Sequence, residues 1–250
     1  MPETRRSPVR RHADVMGTVA SIHVHDDVAP GLADDAITAV IDELERLEQM
    51  FSTFRPSSEI SRVNRGELDL YDCSPEVIDV LDACTWLEHA SGGSFHARRD
   101  GRLDPAGFVK GWAAERASRL LTEHGMEHWF LSVGGDLLVR GRPQGRDRWT
   151  IAIADPTKQQ AVVTGITIDG GAVATSGTAE RGGHVWTADG TPADTYASVT
   201  VVGPLLTWAD AFATTAFAMG EPGIDWVAGF DGYRALAVTH EGRLVNTIEI

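Results

Sequence analysis

Apolar residues recur at helical spacing between Gly31 and Phe51, where Leu32, Ile37, Val40, Ile41, Leu44, Leu47 and Phe51 trace one stripe. The segment before it, Met16 to Val24, suits a strand. Ser74–Pro75 reads as an N-cap followed by proline in the first helical turn, opening a helix through Val77, Ile78, Leu81 and Leu87 that Gly92–Gly93 ends. A loop from Ser94 to Gly107 leads to a further helix over Val109 to His124. Strand-like runs follow at Trp129–Val133, Leu137–Arg140, Trp149–Ile153, Val162–Ile168 and Ala172–Thr175. Thr207 to Met219 is helical again, with a short helix near Ile224–Ala228. Two closing strands, Ala235–Thr239 and Leu244–Ile248, meet at Glu241–Gly242. This order predicts an α+β fold in which a largely antiparallel sheet packs with helices. No repeat or linker divides the chain, so one domain is expected over residues 15–250, after a disordered basic tail over 1–14.

Charge and composition narrow the function. The 250 residues carry a net charge of -14 and show no basic stripe, which argues against a nucleic-acid partner. Cys73 and Cys84 are too few for a disulfide framework and lack zinc-site spacing. No apolar run approaches the ~20 residues of a membrane span, and Arg5–Arg6 precedes no hydrophobic region. A cytoplasmic protein with free thiols and no membrane insertion is expected. Lys110 and Lys158 are the only lysines, so a lysine beside a functional motif carries weight.

Two segments stand out chemically. In Asp104-Pro-Ala-Gly-Phe-Val-Lys-Gly-Trp-Ala-Ala-Glu115 a turn of small residues runs into a helix, with Asp104 at its head and Lys110 at its mouth. Such a helix start can receive a phosphate, and it reads equally as a turn capped by Asp104. The P-loop spacing is absent. In Trp208-Ala-Asp-Ala-Phe-Ala-Thr-Thr-Ala-Phe-Ala-Met-Gly220, Asp210 and Thr214 share one face of an otherwise apolar helix. Oxygen donors at that spacing suit a hard cation such as Mg²⁺. The alternative is a capping aspartate with a back-bonded threonine.

The glycine-rich connections Gly134-Gly-Asp136, Gly170-Gly171 and Ala174-Thr-Ser-Gly177 permit close approach to a ligand, or make ordinary turns. His184, in Arg181-Gly-Gly-His-Val-Trp186, is either a general base or one structural histidine among nine. His23, His25, His89, His124, His128 and His240 read as structural or surface residues.

Taken in order, these segments resemble the ApbE family of FAD:protein FMN transferases. The marks are Met16-Gly-Thr18, Phe51-Ser-Thr-Phe-Arg-Pro-Ser-Ser-Glu-Ile-Ser-Arg-Val-Asn64, Asp104 to Gly111, Gly134-Gly-Asp136, Ala174-Thr-Ser-Gly177, His184 and Asp210-Ala-Phe-Ala-Thr214. The match spans roughly residues 15 to 248, and the resemblance implies a single ApbE-like, T-fold-related domain. It further implies that Met16, Phe54 and Asp104 lie along FAD, with Lys110 near its pyrophosphate or adenosine part. Gly134, Gly135, Ser176 and Gly177 would complete the cofactor site. Mg²⁺ would be held by Asp210, Thr214 and a carbonyl near Gly107. A threonine or serine of an acceptor flavoprotein would attack the FMN phosphorus and AMP would leave, with Asp210 and His184 as the catalytic pair.

Three departures from the family pattern are visible. The histidine motif usually continues His-Ile-(Ile/Val)-Asp-Pro-x-Thr-Gly, whereas here it reads His184-Val-Trp-Thr-Ala-Asp-Gly190. The stretch from Gly93 to Asp104 is shorter than in many relatives. No secretion signal is evident. A metal-dependent FAD pyrophosphatase and a non-catalytic FAD-binding module are the rival readings.

Overall fold

A computed structural model of the chain describes residues 7–158, 160–177 and 185–248. Its helices are α1 (Pro30–Phe51), α2 (Glu59–Asn64), α3 (Pro75–Ala90), α4 (Ala106–Glu123), α5 (Leu206–Met219) and α6 (Glu221–Ala228). The first strands are β1 (Val9–Val15), β2 (Thr18–Val24), β3 (Arg98–Arg99), β4 (Arg102–Leu103), β5 (Trp129–Val133) and β6 (Asp136–Arg140). They are followed by β7 (Trp149–Ala154), β8 (Val162–Ile168), β9 (Gly171–Gly177), β10 (Ser198–Gly203), β11 (Arg234–Val238) and β12 (Leu244–Asn246).

Eight strands form one sheet in the order β1-β2-β5-β6-β9-β10-β11-β12. Every neighbouring pair is antiparallel, as the α+β reading expects. Alternate side chains divide the sheet into two faces. Ala20, Ile22, Leu131, Ala172, Ala174 and Val199 point into a core shared with α1, α4 and α5. Leu137, Val139, Val173 and Leu236 pack against Ile151, Ile153 and Ile166 of the β7–β8 hairpin, which covers the second face.

The α1 stripe is buried from Ala33 to Phe51, while Leu32 in its first turn stays exposed. Ser74 occupies the N-cap of α3 but makes no side-chain cap. Its N–H goes to Glu59 Oε2 at 2.7 Å and its hydroxyl donates to Met50 Sδ.

Two expectations need correction. Residues 9–14 are not part of a disordered tail, because Val9–Val15 pairs along its whole length with β2. A strand at the sheet edge needs no apolar face, and charged residues there block further pairing. That is why Arg10, Arg11 and His12 hid it. Strand β10 escaped the sequence reading although Val199, Thr200, Val201 and Val202 are all β-branched. It is central and covered on both faces, so it shows a continuous run rather than an alternation. No helix among the described residues is long and apolar enough to cross a membrane.

Candidate active site

One end of the sheet gathers the motifs. Met16 and Gly17 turn β1 into β2 with φ of 55° and 69°, and Gly134 and Gly135 turn β5 into β6 with φ of 59° and 91°. Two successive positive φ values match the twist of a tight hairpin, and glycine adopts them without strain. Pairing of Ala20 with Val133 sets these turns side by side, and Gly134 N–H donates to the Val19 carbonyl at 3.1 Å. On the other flank, β6 pairs with β9 and Asp136 Oδ1 accepts the Thr175 N–H at 2.8 Å. Met16, Gly134, Gly135, Ser176 and Gly177 therefore share one rim.

Helices α4 and α5 close on this rim. Gly111 N–H donates to Asp210 Oδ2 at 2.8 Å. A Cβ on Gly111 would lie 2.7 Å from both Asp210 Cβ and the Leu206 carbonyl, so only glycine lets the helices approach this closely. One turn along α4, Glu115 Oε2 accepts the Leu206 N–H at 2.6 Å and so caps the start of α5. Burial pushes the Glu115 carboxyl above its ordinary range, against the opposing pull of that N–H.

Asp210, 3% exposed, and Thr214 project toward the start of α4. Thr214 Oγ1 meets Ser176 Oγ at 3.0 Å, and a Cβ on Gly107 would touch the Thr214 methyl at 3.6 Å. Gly107, Ser176, Asp210 and Thr214 are thus brought together from three elements. Lys110 joins them, with its ammonium paired to Asp136 Oδ2 and lying 3.0 Å from Asp210 Oδ1. One ammonium faces two buried carboxylates, and the ammonium on Asp210 marks a place that accepts positive charge. Asp210, Thr214 and the Gly107 carbonyl are hard oxygen donors that could hold a divalent cation. Among the described residues no cluster of three His, Cys, Asp or Glu side chains is poised around a metal. Such a cation would have few protein ligands and room for phosphate oxygens.

The Ser58-Glu-Ile-Ser-Arg-Val-Asn64 motif proves to be scaffolding. Ser58 Oγ caps α2 by accepting the Ser61 N–H, and it donates to the Ser52 carbonyl at 2.6 Å. Asn64 grips Leu103 through both main-chain groups, at 2.7 and 2.8 Å. That fixes the residue before Asp104. Asp104 itself is exposed, with Oδ1 accepting the Ala106 N–H at 3.3 Å. Phe54 is 94% exposed on the loop after α1. Sequence reasoning passed over Asn64, Gly111, Glu115 and Asp136 as site-building residues. All four lay within quoted motifs, Asn64, Glu115 and Asp136 as polar residues without an assigned role and Gly111 as one of the small residues.

His184 lies outside the described residues. The altered segment after it forms a small hairpin bridged at Trp186 and Pro192. Asp189 Oδ1 accepts from the hydroxyls of Thr187 and Thr191 and from Thr191 N–H, which closes that hairpin's turn. A cavity of about 230 Å³ adjoins the rim, lined by Gly135, Leu137, Ile151, Val173, Thr175 and Ser198 among others. A larger one, of about 560 Å³, is lined by residues including Tyr196, Asp225, His240 and Val245, and shares no residue with the site.

Comparison with known proteins finds relatives of this chain. An Escherichia coli K12 protein named FAD:protein FMN transferase is 30% identical over 187 residues, covering 68% of this chain and 53% of that protein. The chain thus spans about half the length of that relative. A Vibrio cholerae protein of the same name is 26% identical, covering 82% of this chain and 80% of its own. The crystal structure of an ApbE protein from Thermotoga maritima superposes with a TM-score of 0.84 at 22% identity, covering 96% of each chain. The flavin transferase ApbE from Vibrio cholerae gives 0.81 at 21% identity, again over 96% of each. The ApbE family model matches residues 16–98 and 96–237. Every motif that meets at the rim falls inside that match, and the chain belongs to the ApbE family.

Proposed function

We propose that this protein transfers FMN from FAD to a threonine or serine hydroxyl of an acceptor flavoprotein in the cytoplasm, releasing AMP. The observation that carries the reading is the meeting of Asp210 and Thr214 with Gly107 and Lys110 at the glycine-rich rim. That arrangement offers oxygen donors for a divalent cation beside a fixed positive charge. The relatives named above as FAD:protein FMN transferases support the choice of substrate.

In this reading Asp210, Thr214 and the Gly107 carbonyl hold Mg²⁺, which when bound neutralises charge on the FAD phosphates. The Gly111 N–H fixes one oxygen of Asp210 and leaves the carboxylate a single orientation. Lys110 lies near the pyrophosphate or adenosine part of FAD, Asp104 and Met16 border the flavin, and Phe54 lies against its ring. The acceptor oxygen forms a bond to the FMN phosphorus as the bond from that phosphorus to the bridging oxygen breaks. The hydroxyl proton passes to a base, for which His184 is proposed, and AMP takes the bridging oxygen.

The test is incubation of the full chain with FAD and Mg²⁺, with and without a peptide bearing an acceptor threonine, followed by mass spectrometry. A flavinylated peptide with matching AMP supports the transferase. Free FMN and AMP with no labelled peptide would replace it by a pyrophosphatase, and intact bound FAD by a binding module. Asp210→Asn should abolish turnover in the first two cases.

A further inference from the structure

Asp136 ends the Gly-Gly-Asp turn and has been given no role in binding FAD or metal. It opens β6, is 2% exposed, and divides its carboxylate between two partners. Oδ1 takes the Thr175 N–H and Oδ2 takes the Lys110 ammonium. The same ammonium reaches Asp210 Oδ1 at 3.0 Å. The result is a row, Asp136–Lys110–Asp210, in which two buried carboxylates flank one partly exposed ammonium.

Linking β6 to β9 needs only an oxygen acceptor for Thr175, which asparagine would supply. The second oxygen, aimed at an ammonium, does something different. Without it Lys110 would pair with Asp210 alone, and an incoming cation would meet a neutral pair with an ammonium facing it. On a carboxylate as buried as Asp210 an unshared unit charge acts more strongly than in water. We infer that Asp136 is a positioning residue that draws the Lys110 ammonium toward the sheet and leaves Asp210 with the uncompensated charge that binds a divalent cation. The inference rests on the metal site proposed above.

The experiment follows Mn²⁺ binding to the full-length protein by the electron paramagnetic resonance signal of free Mn²⁺, with no FAD present. The proteins are the unsubstituted chain, Asp136→Asn, Lys110→Met and the double variant. Asp136→Asn keeps the Thr175 bond but leaves the row neutral, and should weaken Mn²⁺ by about tenfold or more. Lys110→Met should tighten it. The double variant, with one negative charge restored, should bind within about threefold of the unsubstituted protein. Unchanged affinity in Asp136→Asn overturns the inference while leaving the metal site standing. So does a loss that Lys110→Met fails to restore, since a purely structural role would give that result. Absence of Mn²⁺ binding by the unsubstituted chain overturns both the inference and the metal site.

Discussion

The backbone N–H of Gly111 reaches across from α4 to the Asp210 carboxylate on α5 at 2.8 Å, and the missing side chain of Gly111 is what admits it. Replacing Gly111 by alanine would push a methyl into Asp210 Cβ and the Leu206 carbonyl, an overpacking that costs about 1–3 kcal/mol. The displaced carboxylate should lower turnover by about a hundredfold. Denaturant unfolding alongside steady-state kinetics checks both, and an alanine variant of native stability and full activity would refute the close-packing account.

Glu115 should matter to stability rather than to chemistry. Glu115→Ala leaves the Leu206 N–H without its acceptor and should cost about 1–2 kcal/mol. Glu115→Gln retains an acceptor oxygen and should recover most of that loss. Equal destabilisation by the two would mean that charge, not the hydrogen bond, holds the start of α5.

Asn64→Ala removes both hydrogen bonds to Leu103, whose side chain is buried, and should cost about 2–3 kcal/mol. Because Asp104 follows directly, the KM for FAD should rise more than kcat falls. A variant that loses stability with an unchanged KM would separate this clamp from the site.

Phe54 presents the opposite case. Its ring contributes almost nothing to the core, so Phe54→Ala should leave stability within about 0.5 kcal/mol. FAD binding, followed by flavin fluorescence, should weaken by about fivefold through loss of one aromatic pair. Unaltered FAD affinity would remove Phe54 from the flavin site.

His23 sets a pH response. Burial, then Arg10 and the neighbouring His25 and His12, lower it from 6.5 to about 4. Between those values the unfolded chain binds the proton and the folded chain does not, so stability is held above the upper value and lost as pH falls toward the lower. His25 is shifted in the same direction, again chiefly by burial. Thermal unfolding at about pH 7 and about pH 5.5, both away from the main carboxylate range, should show a smaller difference for His23→Gln than for the unsubstituted protein. Identical differences would exclude His23 as a source.

Read one residue at a time, the chain made its long helices legible, because α1 and α4 carry periodic stripes that bury on one side and α5 is a run of alanine and aromatic residues buried nearly all round. It also carried the order of motifs, from Met16-Gly-Thr18 to Asp210-Ala-Phe-Ala-Thr214, and hence the family. Strands β1 and β10 were less legible because an edge strand and a doubly buried strand lack the alternation that marks a one-sided one. The tertiary structure decided which motif residues meet. Asp210 and Gly111 lie 99 positions apart, and Asp136 and Thr175 lie 39 apart, so no local pattern could announce either contact. Spacing along a helix reveals what shares a face. Charge balance across Asp136, Lys110 and Asp210 depends on two helices and a sheet rim packing within hydrogen-bonding distance, which only the folded core imposes.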